Sequence, residues 1–370
     1  MTNAQRLPAS LTSLDVALAA ALRDVAPVAS VELPLAEALG CVAAEMPLLS
    51  AHPPRDVAVA DGWAMRANDL VGASSYAPLP LTAPPIWVEA GDAMPDGTDC
   101  VIDADAVDAT GPLVQVLAEA IPGQGVRRAG SDIANGSAML DTGRRVSARG
   151  LLFAQAAGLQ TLRVRRPRVR LVNIPGGLAT TQFVAASARA AGAELEMRAA
   201  AGRDAASIAK ALDGGDCDLL LSVGGTGVGR SDATVTALAA RGDVLAHGIA
   251  LQPGRTAALG RIGATPVVAL PGAPDQAFAA WWTLARPVLD RLSGQRGRAT
   301  VQLPLARKIA SSVGVAELVL LKRKDDQWVP LAIGELSLDA IARAEAWLLV
   351  PGGAEGFAAG TPADGYMVGE

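Results

Sequence analysis

The segment from Leu219 to Asp232 constrains this chain most. An apolar run broken only by one serine, Leu219-Leu220-Leu221-Ser222-Val223, leads directly into Gly224-Gly225-Thr226-Gly227-Val228-Gly229-Arg230-Ser231-Asp232. A short apolar run bounded by turn residues reads as a buried strand. Gly224, Gly225, Gly227 and Gly229 let backbone N–H groups approach a ligand with no Cβ in the way, and a helix starting near Asp232-Ala233-Thr234 is expected to favour an anion. The spacing is neither G-x-x-x-x-G-K-[ST] nor a clean G-x-G-x-x-G, which excludes the nucleotide-binding fingerprints. A glycine-rich strand-to-helix turn with no ligand remains open beside the phosphate cradle.

A second unit follows. Pro266-Val267-Val268-Ala269-Leu270 reads as a buried strand, Pro271-Gly272-Ala273-Pro274-Asp275 as a rigid turn, and residues 276–292 as a helix. Two strand–turn–helix units place their loops at one carboxyl edge of a parallel sheet, where open α/β sheets bind ligands. Between them, Gln252-Pro253-Gly254-Arg255 forms a turn carrying a cation. Earlier alternation, with a strand at 169–174, a helix at 181–191, a strand near Leu195 and a helix at 205–212, extends the same parallel sheet.

Upstream, residues 11–24 carry Leu11, Leu14, Leu18 and Leu22 at helical spacing, residues 31–125 read as short strands and turns, and 141–158 return to helix. Arg163-Val164-Arg165-Arg166-Pro167-Arg168-Val169-Arg170 reads as an exposed crossover into a new domain. Beyond the charged linker 294–298, short strands at 301–305, 317–322, 328–333 and 346–350 form a small β-domain. The 370 residues, 51% of them hydrophobic, allow several compact units of about 100–200 residues each. A net charge of −5 without long runs of one sign excludes a general nucleic-acid surface. Cys41, Cys100 and Cys217 contain no C-x-x-C pair, which argues against a zinc knuckle and for a reducing compartment. Residues 1–10 are polar and no long uncharged apolar span follows, so no membrane segment is expected and the location is cytoplasmic.

Six segments in order resemble the molybdopterin molybdenumtransferase family, which includes MoeA and the gephyrin E domain. Val59-Ala60-Asp61-Gly62-Trp63-Ala64-Met65-Arg66 is similar to its M-D-G-Y-A-V-R, Glu89 to Asp99 to its T-G-A-x-x-P-x-G-A-D, and Arg127 to Ile133 to its R-x-x-G-E-D-I. The glycine segment resembles S-G-G-V-S-V-G-x-x-D, and the turns at 252–255 and 270–274 resemble K-P-G-K-P and L-P-G-N-P. The resemblance implies an α/β multidomain fold, with a MogA-like parallel α/β domain, a β-rich N-terminal region and a small C-terminal β-barrel. Its divisions are 1–165, an elongated dimerisation region with an inserted β-rich subdomain; 166–293, a molybdopterin-binding-like domain; and 299–370, the barrel.

The implied activity is molybdenum cofactor biosynthesis, in which molybdate is inserted into adenylylated molybdopterin and AMP is released. Asp61, Asp132 and Asp232 are the implied catalytic acids, and Asp61 and Asp232 the implied ligands of Mg2+. Gly224, Gly225, Gly227, Gly229, Arg230, Arg255, Pro271, Gly272 and Pro274 are the implied binding residues. By their local sequence alone, Asp232 reads equally as a helix cap and Asp61 as a turn former. The implied partners are molybdopterin, molybdate, a second copy in a homodimer, and a molybdoenzyme or another cofactor-biosynthesis protein.

The chain departs from the family pattern in the anion-binding turns. T-G-D-E-L becomes Ile174-Pro175-Gly176-Gly177-Leu178. Gly248 and Gln252 stand where lysines are found, Val315 where an arginine is found, and Gly334-Glu335 replaces G-S. A negative charge and missing cations weaken binding of a phosphorylated ligand. Arg230 and Arg261 are the sequence candidates for replacement cations. A non-catalytic paralogue serving as a binding or scaffold protein is therefore the alternative reading. His247 and His52 have no partner at metal-ligand spacing.

Overall fold

A strand with apolar residues on both faces is stable where both sheet faces are covered. Leu219–Val223 is buried at all five positions and lies parallel to Arg168–Asn173 on one side and Thr265–Leu270 on the other. The computed structural model describes residues 5–8, 10–213 and 216–369, so part of the polar 1–10 segment lies outside it. Six strands form this sheet, in the order Glu194–Ala199, Arg168–Asn173, Leu219–Val223, Thr265–Leu270, Ala258–Ile262 and Asp243–His247. The first four are parallel; the last two add an antiparallel edge.

Helices form where the local chemistry allows them to start. Asp204 caps Ala205–Leu212 by accepting the Ser207 N–H at 2.9 Å. Leu178–Ala190 turns Thr181, Val184, Ala185 and Ala188 inward at helical spacing. The expected continuous helix at 276–292 is instead Pro274–Ala280, a π-helical turn Trp281–Ala285 and Arg286–Ser293. Pro287, which has no N–H to continue the ladder, accounts for the irregularity. Trp281 is fully buried there, and Trp282 packs at 6.1 Å from Trp347, which stacks on Tyr366 at 4.7 Å.

A seven-stranded sheet brings sequence-distant pieces together. Thr12–Ser13 pairs parallel with Ile249–Gln252, which pairs parallel with Ala316–Lys324. Ala346–Val350, Pro362–Met367 and Thr300–Pro304 continue from it, and Gln327–Ile333 pairs with Ala316–Lys324. The C-terminal strands thus share one sheet with the chain's beginning and with the 249–252 segment.

The basic stretch 163–170 is not an exposed crossover. It is two strands, Thr161–Arg165 and Arg168–Asn173, and Arg170 is only 2% exposed. Its guanidinium donates to Glu196 at 2.8 Å, and together with Arg198 holds that carboxyl below the usual range. A buried ion-paired guanidinium is tolerated where its charge is matched. Asp290 likewise receives Arg286 at 2.7 Å and Arg298 at 2.8 Å.

The chain divides into two compact bodies, residues 1–45, 142–148 and 161–370 in one and 46–141 and 149–160 in the other. The second body is built from small antiparallel sheets. Gly62–Met65 lies between Ile86–Val88 and Cys100–Ile102, and Ser74–Pro80, Gln115–Ala118 and Val107–Asp108 form another. Gly62 is obligatory in this packing, since a Cβ there would stand 2.2 Å from the Ile102 carbonyl oxygen. Burial raises the Cys100 thiol to about 11, which keeps it protonated and inert. Among the described residues no helix is long and apolar enough to cross a membrane.

Candidate functional site

Gly224 and Gly225 follow the central strand at φ 100° and 66°, conformations that side chains rarely adopt. A Cβ on Gly225 would lie 2.5 Å from Thr234 Oγ1. That hydroxyl donates to the Gly224 carbonyl at 2.8 Å, and the Thr234 N–H donates to Gly225 at 3.0 Å. Asp232 folds back into the loop: its Oδ2 accepts the Gly229 N–H at 3.0 Å and would sit 2.6 Å from any Cβ on Gly227. The glycines thus serve close approach by Thr234 and Asp232 as well as ligand access.

Among the described residues, the N–H groups of Gly225, Thr226, Gly227 and Val228 have no acceptor, and the buried Thr226 hydroxyl has no partner. Gly225 and Thr226 are buried, and unpaired buried polar groups cost free energy unless a ligand or water meets them. The loop opens onto a cavity of about 250 Å³, walled also by Gly176, Arg203, Pro271 and Gly272. Gly272 closes the far side, where a Cβ would meet Gly224 Cα at 3.4 Å.

Arg203, which the sequence reading overlooked, is the guanidinium of this cavity. It donates to the Pro175 carbonyl at 2.5 Å, to Ser231 Oγ at 3.3 Å and to Asp232 Oδ1 at 2.9 Å. A sequence signal existed: Gly202-Arg203-Asp204 stands just before the Ala205–Leu212 helix, at the carboxyl end of a parallel strand. The two candidates proposed from sequence do not fill this role. Arg230 is exposed and does not line this cavity, and Arg261 sits on Ala258–Ile262, an antiparallel strand between Thr265–Leu270 and Asp243–His247.

The helix beyond the loop, Thr234–Ala239, does not offer its N-terminus to an anion as expected. Its N-cap position is Ala233, and the Val235 and Thr236 N–H groups are taken by Oε1 of Gln5, at 2.7 and 3.2 Å. Nor does Asp232 cap that helix, because its carboxylate is held by Gly229 and Arg203.

A larger cavity of about 1020 Å³ adjoins, sharing Thr256 and Gln276 as lining with the first. Thr256 Oγ1 lies 3.3 Å from Gln276 Oε1. Arg255 and Gln252 line it together with Asp275 and Glu335, and none of the three charged groups has an ion pair among the described residues. Gln252 donates to the Gly334 carbonyl at 3.2 Å. Gly248 lines neither cavity: at φ 82°, its Cβ would stand 2.9 Å from Pro8 Cδ.

Of the remaining sequence candidates, Gly224, Gly225, Gly227, Pro271 and Gly272 line the smaller cavity, whereas Gly229 and Pro274 line neither. Asp61 and Asp132 belong to the other compact body. There Asp61 Oδ1 accepts the Ala90 N–H at 2.8 Å, and Asp132 pairs with Arg127 at 3.0 Å. Among the described residues no group of three or more His, Cys, Asp or Glu side chains could hold a metal ion.

Comparison with known proteins bears on this geometry. Residues 12–158 match the family described as MoeA N-terminal region (domain I and II), and residues 179–291 that described as Probable molybdopterin binding domain. The chain is 30% identical over 308 residues to molybdopterin molybdenumtransferase 2 of Mycobacterium tuberculosis, an alignment spanning 71% of this chain and 75% of the relative. A molybdopterin molybdenumtransferase of Synechococcus elongatus is 25% identical over 354 residues, 84% of this chain and 88% of the relative. The fold is similar to the solved molybdopterin biosynthesis MoeA protein of Pyrococcus horikoshii, with a TM-score of 0.69, 22% identity, and 97% and 100% of the two chains covered.

Proposed function

This chain belongs to the molybdopterin molybdenumtransferase family, a family of molybdenum cofactor biosynthesis, and from that premise we propose that it inserts molybdate into adenylylated molybdopterin with release of AMP. The observation carrying this reading is the glycine-loop cavity, whose unpartnered amides and Thr226 hydroxyl suit a phosphate group. Arg203 lines the same cavity, and although Asp232 matches its charge, guanidinium N–H groups are among the stronger hydrogen-bond donors to phosphate. Arg255 and Gln252 then face the remainder of the ligand across the Thr256–Gln276 wall.

A resident magnesium ion does not fit the acids of this body alone. Asp232 is already paired with Arg203 and with the Gly229 amide, so a metal there would have to displace an internal cation. In a homodimer, which the family resemblance also implies, acids of a second copy would be the further source of carboxylates. Sedimentation velocity at micromolar concentration tests that assembly, and a monomer removes it.

A second reading has its own support. The larger cavity sets Asp275 and Glu335 against the single guanidinium of Arg255, a balance unfavourable to a multiply charged anion. A binding protein without turnover would fit that balance. The deciding experiment incubates the purified chain with adenylylated molybdopterin and follows AMP by chromatography with and without molybdate. Molybdate-dependent AMP release is expected; weak binding with no release would support the non-catalytic reading instead.

A further inference from the structure

Gln5 is 8% exposed and uses the whole hydrogen-bonding capacity of its amide. Nε2 donates to the carbonyls of Gly225 at 3.0 Å and Gly227 at 2.8 Å, while Oε1 accepts from Val235 and Thr236. The carbonyl between them, that of Thr226, accepts from His247 Nε2 at 3.0 Å. Three consecutive loop carbonyls are therefore held by two side chains, neither of which lines the cavity. The segment carrying Gln5 is itself seated: Pro8 packs against Gly248, and the Thr12 N–H donates to the Gly248 carbonyl at 2.9 Å.

We propose that this N-terminal segment is a brace for the glycine loop and that Gln5 is the positioning residue that presents the loop amides to an anionic ligand. In a planar trans peptide the C=O and the following N–H point in opposite directions. Fixing the carbonyls of residues 225, 226 and 227 consequently fixes the amides of Thr226, Gly227 and Val228, which are unpartnered. The same side chain also caps a helix whose own N-cap residue, Ala233, cannot do so. Brace and cap are separable functions of the two ends of one amide. The inference rests on the reading of the loop as a phosphate site, and its test separates the two.

The experiment compares the full chain with Gln5→Ala and Gln5→Glu, using inorganic pyrophosphate in low-salt calorimetric titrations and amide hydrogen exchange over residues 224–236. Gln5→Ala removes both ends and should weaken pyrophosphate binding about tenfold, the loss expected from one or two net hydrogen bonds. In Gln5→Glu the carboxylate can still accept from Val235 and Thr236 but cannot donate to Gly225 or Gly227. Exchange at Val235 and Thr236 should then stay slow, while exchange at Gly229, Asp232 and Thr234 rises and affinity falls at least as far as in Gln5→Ala. A cap of purely structural importance would not produce that split. Wild-type affinity in either variant overturns the brace. If the unmodified chain does not bind pyrophosphate, the phosphate reading falls, and loop exchange decides the brace: rates at Gly229, Asp232 and Thr234 unchanged by Gln5→Glu overturn it as well.

Discussion

The two adjoining cavities are shaped by different means. The smaller one is made mostly of backbone, with turns at residues 175–177, 224–229 and 271–273 brought edge to edge by a parallel sheet, and its Arg203 and Asp232 side chains are engaged in holding those turns. The larger one is walled by side chains, and its charge is whatever residues 252, 255, 275 and 335 supply. Backbone geometry survives substitution as long as the glycines and their close neighbours remain. Charge does not: a single Ser-to-Glu difference takes it from balanced to net negative. Two of the departures from the family pattern, Gln252 and Glu335, fall on the cavity least able to absorb them.

The severest way to break this contrast is Gly225→Ala. With φ at 66° and Thr234 Oγ1 2.5 Å from the new Cβ, unfolding free energy in urea should fall by about 1–3 kcal/mol and pyrophosphate binding should disappear. A loss below about 0.5 kcal/mol, the range of ordinary surface changes, would show that the loop relaxes and that the backbone argument is wrong.

The larger cavity should respond in the opposite sense. Gln252→Lys combined with Glu335→Ser adds a cation and removes an anion, and is expected to tighten pyrophosphate binding about tenfold at low salt. That gain should shrink as ionic strength shortens the Debye length to about 3 Å near 1 M. No gain at low salt would mean that this cavity does not read ligand charge.

Gly248→Lys tests whether a lost lysine can always be restored. Gly248 is at φ 82° beneath Pro8, so the substitution should cost about 1 kcal/mol and leave affinity no better than before. A salt-sensitive improvement would show that the N-terminal segment yields. Thr256→Val alters the wall common to both cavities while removing one weak contact at 3.3 Å. Stability should change by under about 0.5 kcal/mol and pyrophosphate affinity by less than about threefold; a larger effect would join the two cavities into one energetic unit.

Much of the α/β body was legible because its strands and helices carry their own signals. Leu219–Val223 and Ala346–Val350 are apolar runs ending at turns, and Asp204 announces the helix at 205–212. The antiparallel edge, Asp243–His247 with Ala258–Ile262, was not read, since short mixed segments around Pro253 and Gly254 look like a loop until a neighbouring strand pairs with them. Within the site, the glycines and Pro271-Gly272 were readable as turn chemistry. Arg203 was partly readable from its place before a helix. Gln5 was not: it meets its loop across 220 residues of chain, and one glutamine in a polar segment has no local signature.

The family, the strands and helices on either side of the glycine loop, and the turns that had lost their cations were all legible along the chain. These are local or collinear properties, written in spacing and residue type. The tertiary structure alone decided that Asp232 is neutralised by Arg203, that the helix after the loop is capped by Gln5, and that Gly248 is enclosed by Pro8 rather than facing a ligand. Each of those outcomes depends on which distant group arrives first at a charge, an amide or a few ångströms of free space, and only packing in three dimensions settles that competition.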